Sequence, residues 1–165
     1  MGFKAWQTPP DFFKALDEEF HFTLDAAASH ENALCDMYCT PDGLYLKDVH
    51  GHGGEAGKGT PEDGLTTRWN GFRVFCNPPY DSSLYQWVEK ASKFEAEVAV
   101  LLLPPSIDTK WFQSMVTHIG EPADHMMIWK TGITIDFLPS RLRFWRDGKP
   151  GKAPRAGNLL AIFRR

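Results

Sequence analysis

"VAVLLLP", residues 98–104, is the stretch on which the fold class turns. Six apolar side chains in a row leave no polar face, so a strand made from them is covered on both sides, as the inner strands of a parallel sheet are. The run is also far shorter than the roughly 20 residues a membrane-crossing helix needs. Before it, "SSLYQWVEKASKFEAE" carries Leu84, Trp87, Val88 and Ala91 at helical spacing, and "GFRVFC" (71–76) reads as another buried strand. After it, "DTKWFQSMVTHI" (108–119) reads as a helix capped by Asp108 and Thr109, and "DHMMIWK" (124–130) as a strand. "RLRFW" (141–145) and "NLLAIFRR" (158–165) read as two closing strands, joined by "RDGKPGKAP". Strand and helix in alternation, then a terminal antiparallel strand pair, predict a doubly wound α/β sheet, mostly parallel.

Upstream, "TPPDFFKALDEEF" (8–20) predicts a helix with Thr8 as cap, prolines in the first turn and Phe12, Phe13, Leu16 and Phe20 on one face. "FHFTLDAAA" (20–28) gives a short strand ending at Asp25, and "SHENALCDMY" (29–38) a helix. From Thr40 to Arg68 the chain turns glycine-rich and acidic, and 45–68 reads as a loop insertion. A chain of 165 residues is expected to form one domain, spanning 1–165.

Net charge is only −3, but it is unevenly spread. Residues 139–165 hold eight cations against Asp147 alone, a local +7 that leaves −10 in the preceding 138. A basic block on an acidic body is a candidate phosphate-contacting surface. "MGFKAWQTPP" lacks the apolar centre of a signal peptide, and Trp6 stands where a myristoylation signal has Ser or Thr. Three cysteines form no disulfide framework. The expectation is a cytoplasmic protein with no membrane anchor.

Chemistry concentrates where two strands end. Asn77-Pro78-Pro79-Tyr80 follows "RVFC" directly, and prolines there stop both strand and helix. The Asn77 side-chain oxygen and the Pro78 carbonyl are two acceptors in fixed geometry, a match for the two hydrogens of an exocyclic amino group. Drawing both hydrogens out of the ring plane localises the nitrogen lone pair. Tyr80 offers a ring on which an extruded base can stack. Asp25-Ala26-Ala27-Ala28 ends the other strand, and its small residues let a ligand approach the backbone.

With "NPPY" behind an apolar strand, the chain resembles the amino-group methyltransferases that use S-adenosylmethionine, and in particular the phage-type DNA N6-adenine methyltransferases. "WQTP" (6–9), "FHFTLDAAA", "NALC" (32–35), "DGL" before a tryptophan, "NPPY", "VLLLPPSIDTKWF" (100–112) and "RLRF" (141–144) occur in family order from Trp6 to about Phe163. The resemblance implies a Rossmann-like sheet of the S-adenosylmethionine-dependent type. Asn77, Pro78, Pro79 and Tyr80 match the catalytic loop. Asp25, Ala26, Ala27 and Ala28 match the cofactor turn, with Trp6 and Thr8 as an N-terminal cofactor contact, Asp63, rather than Asp42, beside the nucleoside, and Asn77 touching the cofactor as well as the base. The implied partner is double-stranded DNA with one base flipped out. The implied setting is a phage protein acting in the bacterial cytoplasm against host restriction.

Larger family relatives carry a separate target-recognition domain, for which this chain has no room. DNA contact is therefore expected from 45–68 and from the basic region 139–157, with Arg141, Arg143, Lys149 and Lys152 as the candidate contacts. No metal is expected: Cys35, Cys39, His50 and His52 lack ordinary zinc spacing, and a sulfonium donor needs none. "HGHGGEAGKGT" (50–60) fails the phosphate-loop pattern at His52 and Gly59. Three rivals remain at this level: cytosine-N4 methylation, RNA adenine methylation, and a non-catalytic nucleic-acid-binding module. A protein-glutamine methyltransferase would carry a helical N-terminal domain and a glycine-rich cofactor turn, and neither is present. Nothing in the sequence decides between a monomer and a weak dimer.

Overall fold

The computed structural model describes residues 6–48, 53–55, 63–121, 126–152 and 154–165. The apolar run forms β6 (Val98–Leu103), with all six residues buried. Its side chains alternate between two cores. Val98, Val100 and Leu102 pack with Phe20, Leu160 and Ile162, while Ala99, Leu101 and Leu103 pack with Trp87, Trp111 and Phe112. Both faces are thus apolar because both are covered.

Four parallel strands make the centre of the sheet: β2 (Met37–Thr40), β1 (Leu24–Asp25), β5 (Arg73–Cys76) and β6, in that spatial order. Antiparallel strands extend it on each side. β3 (Gly43–Lys47) and β4 (Gly53–Glu55) continue from β2, and β12 (Leu159–Arg164) and β9 (Ile133–Phe137) continue from β6. One face is covered by α1 (Pro10–Phe20), through Phe13 and Phe20. The other is covered by α2 (Leu84–Ala91) and α3 (Lys110–Gln113), through Leu84, Trp87, Val88, Trp111 and Phe112. The result is a mixed α/β fold with a parallel centre and antiparallel flanks.

After β1 the chain moves to β2 on one side, and β5 returns on the other side of β1. Strand order reverses there, which opens a crevice outside the carboxyl ends of β1 and β5. Asp25 ends β1 and Asn77 follows β5, so the two flank that crevice.

Several expected elements differ. Residues 29–38 form no helix: Asp25 Oδ2 accepts from Leu34 N at 3.1 Å, drawing the segment around the carboxylate, and β2 then pairs with β1. Cys35 and Cys39 consequently face different cores rather than sharing a helical stripe. The helix expected over 108–119 is one turn, capped by Thr109, whose Oγ1 accepts from Phe112 N. The chain then enters β7 (Val116–Ile119), which pairs with β8 (Met126–Trp129). The terminal antiparallel pair exists, but the partner of β12 is β9 rather than 141–145. Once β9 takes that edge, only Trp145–Arg146 (β10) is extended, pairing with Lys149–Pro150 (β11). Of segment 45–68, residues 45–47 belong to β3, 53–55 form β4 and 63–66 enter a turn, while His50, His52 and most of "HGHGGEAGKGT" lie outside the described residues. Among the described residues no helix is long and apolar enough to cross a membrane.

Candidate active site

Asp25 is 3 % exposed where β1 leaves the sheet. Its Oδ2 accepts from Leu34 N, and its Oδ1 accepts weakly from Ala27 N at 3.4 Å. Burial dominates these bonds and the Lys47 charge, and pushes the carboxyl up from 3.8 to about 6. Because the folded value is raised, the cost of ionising Asp25 is absent below the unfolded value. It grows as pH rises from about 4 to about 6 and is fully present above, on the order of 3 kcal/mol at about 1.4 kcal/mol per unit. Asp25→Asn should therefore flatten the stability decline over this window and raise the urea midpoint at pH 7. Parallel pH profiles for the two proteins would contradict this environment.

The turn after Asp25 is met by a second turn. Asp63 Oδ1 accepts from Leu65 N at 3.1 Å and from Thr66 N at 2.9 Å, closing the "DGL" turn on itself. Gly64 lies against the Ala26 carbonyl so closely that a Cβ would have no room, and its own carbonyl accepts from the Trp69 indole at 3.0 Å. "DGL" before a tryptophan is thus one packed unit, pressed on Asp25-Ala26.

Asn77 Nδ2 donates to Thr8 Oγ1 at 3.1 Å. Thr8 is 5 % exposed and is not the cap of α1, whose N-cap position is Pro9, with no side-chain capping bond; its hydroxyl holds the asparagine instead. With Nδ2 engaged, the amide oxygen is the end left to accept from a ligand. Tyr80 is pinned at its hydroxyl, which donates to Leu102 O at 3.1 Å and accepts from Asn158 Nδ2 at 3.1 Å. Burial holds that phenol well above its ordinary pKa, so it stays protonated and donating. The residue as a whole is 45 % exposed, which leaves part of the ring uncovered.

All these groups line a single cavity of about 1490 Å³. Trp6, Thr8, Asp25, Ala26, Ala27, Ala28, Asp63 and Asn77 to Tyr80 share it with Lys149 and Lys152. Asp42, Arg141 and Arg143 are not among its lining; Asp42 is engaged by Thr40 Oγ1, and Arg141 reaches the Pro154 carbonyl at 3.3 Å. Arg146 and Arg155, from the basic block, also line it, as do Gly64 and Asn158, which sequence reasoning did not single out. Asn158 had one readable signal, a lone amide at the head of the apolar run "LLAIF". Trp87 contributes to both core and cavity wall.

One family model, described as DNA N-6-adenine-methyltransferase (Dam), matches residues 4–56 and 58–165, nearly the whole chain. No curated protein matches it.

Proposed function

Because the chain belongs to the DNA N-6-adenine-methyltransferase family, we propose that it moves a methyl group from S-adenosylmethionine to the N6 amine of an adenine flipped out of double-stranded DNA. The observation that carries this reading is the Thr8-held amide of Asn77 opening on the same cavity as Tyr80 and the Asp25 turn. The helices on both faces and the order reversal between β1 and β5 support a Rossmann-like, doubly wound scaffold of the S-adenosylmethionine-dependent type. Under this reading residues 1–165 form one catalytic domain, and it works in the cytoplasm. Protection of phage DNA from host restriction is the role the reading implies.

The residues fit the cofactor. At about 1490 Å³ the cavity exceeds the roughly 300–1,000 Å³ of a single small-ligand site, which leaves space for a cofactor and a base together. Ala26 to Ala28 present little side-chain bulk, and the buried carboxylate of Asp25 suits a cationic ligand. Asp25 and Ala26 to Ala28 would hold it, with Asp63 toward its nucleoside and Trp6 and Thr8 at the N-terminal contact. When bound, it supplies a methyl carbon made electrophilic by the sulfonium.

The chain's own groups then orient the amine. Asn77 Oδ1 and the Pro78 carbonyl would accept its two hydrogens and so localise the nitrogen lone pair toward the electrophilic carbon. Asn cannot take a proton, so catalysis rests on positioning and on acceptors fixed before substrate arrives. Tyr80, anchored at its hydroxyl, keeps a ring surface for the base to stack on.

Labelled methyl transfer to unmethylated DNA, followed by nucleoside analysis, tests the assignment. N6-methyladenine is the expected product. N4-methylcytosine, label on RNA alone, or protein that binds neither cofactor nor label would overturn it in favour of one of the rival readings.

A further inference from the structure

β10 and β11 form a two-residue hairpin whose turn, Asp147-Gly148, has positive φ at both positions (54° and 72°). The register sets Arg146 directly opposite Lys149. Like charges facing across a strand pair repel. Among the described residues neither cation forms an ion pair, and the same holds for Lys152 and Arg155 just beyond. All four are exposed and all four line the cavity.

The hairpin is held firmly in this position. Gln7 and Trp145 exchange backbone bonds of 2.8 and 2.7 Å, and Gly151 N donates to Phe144 O at 2.8 Å. The Arg146 guanidinium lies 5.5 Å over the Trp6 ring, and that ring fills the space a Cβ on Gly151 would need. The cations precede Asn158, at the head of β12, whereas Asp25 ends β1. Three strand positions separate those points, roughly 14 Å at ordinary spacing. The cavity therefore carries Asp25 and Asp63 on one side and, on the Tyr80–Asn158 side, four cations against Asp147.

We propose that Arg146, Lys149, Lys152 and Arg155 are a phosphate-binding wall that grips the sugar–phosphate backbone of the strand whose base enters the cavity. The proposal rests on the adenine-methylation reading and adds the chain's means of holding the strand. Exposed cations on and just beyond an anchored hairpin, in the same cavity as Tyr80, suit phosphodiester oxygens flanking an extruded nucleotide. Arg141 and Arg143, expected from sequence, lie outside this wall.

The test is a Lys149→Ala, Lys152→Ala double variant, since neither side chain forms a hydrogen bond or ion pair among the described residues. Binding to an adenine-free duplex is followed against salt. The slope of log K on log salt should fall by about two relative to the starting protein, at roughly 0.9 per phosphate. A Lys14→Ala, Lys93→Ala variant, which removes equal charge from exposed positions away from the cavity, should keep the slope. In the methyl-transfer assay the double lysine variant should raise the KM for DNA, while the dissociation constant of S-adenosylhomocysteine stays the same. An unchanged slope, or a larger loss on Arg141→Ala, Arg143→Ala, would overturn the wall. Because the duplex lacks adenine, a reduced slope in a protein that transfers no methyl would support the wall and refute the adenine reading.

Discussion

Asn77→Ala is expected to lower methyl transfer about a thousand-fold, the scale lost when one fixed polar group is removed from a transition state. The protein should still fold, because among the described residues the one side-chain bond lost is the part-buried one to Thr8, worth about 1 kcal/mol. Cofactor affinity should be retained, since Asp25, Ala26 to Ala28 and the Gly64 turn are untouched. A companion pair isolates the role of Thr8. Thr8→Val keeps the shape but releases the asparagine amide, and a roughly ten-fold drop in the single-turnover rate is expected, with Thr8→Ser close to the starting protein. Were Thr8 chiefly a contact for the cofactor carboxylate, the valine variant would weaken cofactor binding and leave the rate at saturation alone. Single-turnover rates with calorimetric titration of the cofactor separate the two. Full activity in Asn77→Ala would reduce "NPPY" to a structural turn.

The parts of this fold that sequence reveals are those whose cause is local. Val98 to Leu103 announce a strand covered twice because six consecutive side chains are apolar, and "NPPY" announces a stop because proline lacks a donor. β9 was hidden for the opposite reason. Ile133 to Phe137 alternate with Thr134 and Asp136 on an edge, so half of the strand looks like loop. Residues 116–119 continue the apolar spacing of a helix, and only pairing with β8 makes them a strand. The same division runs through the site. Asn77 and Tyr80 are legible as a motif, yet the groups that aim them, Thr8 and Asn158, are 69 and 78 residues away. Such partners are fixed by strand order, and no short-range pattern encodes them. The net charge of −3 likewise conceals that four cations of the basic block line the cavity that the Asp25 and Asp63 turns also border.

Gly64→Ala is the second large effect, and it tests whether the two turns act as one unit. A Cβ at this position would stand inside the Ala26 carbonyl oxygen, 2.9 Å from the Ala26 carbonyl carbon and 2.8 Å from Trp87 Cη2. Two of those atoms are backbone of the turn that follows Asp25, so relief cannot come from a flexible side chain. Either Asp63-Gly64-Leu65 lifts away, straining the Trp69 bond to the Gly64 carbonyl, or Ala26 moves and takes Asp25 with it. Overpacking of this kind costs about 1–3 kcal/mol in stability. Cofactor affinity should fall by at least as much, since both turns border its side of the cavity. Gly71→Ala is the comparison: Gly71 has φ 75° with open space around it, so alanine there brings only backbone strain, about 1–2 kcal/mol. That variant should lose stability while binding cofactor normally once folded. Equal cofactor affinities for Gly64→Ala and Gly71→Ala would mean that the close approach of "DGL" to Ala26 shapes the core and not the ligand site.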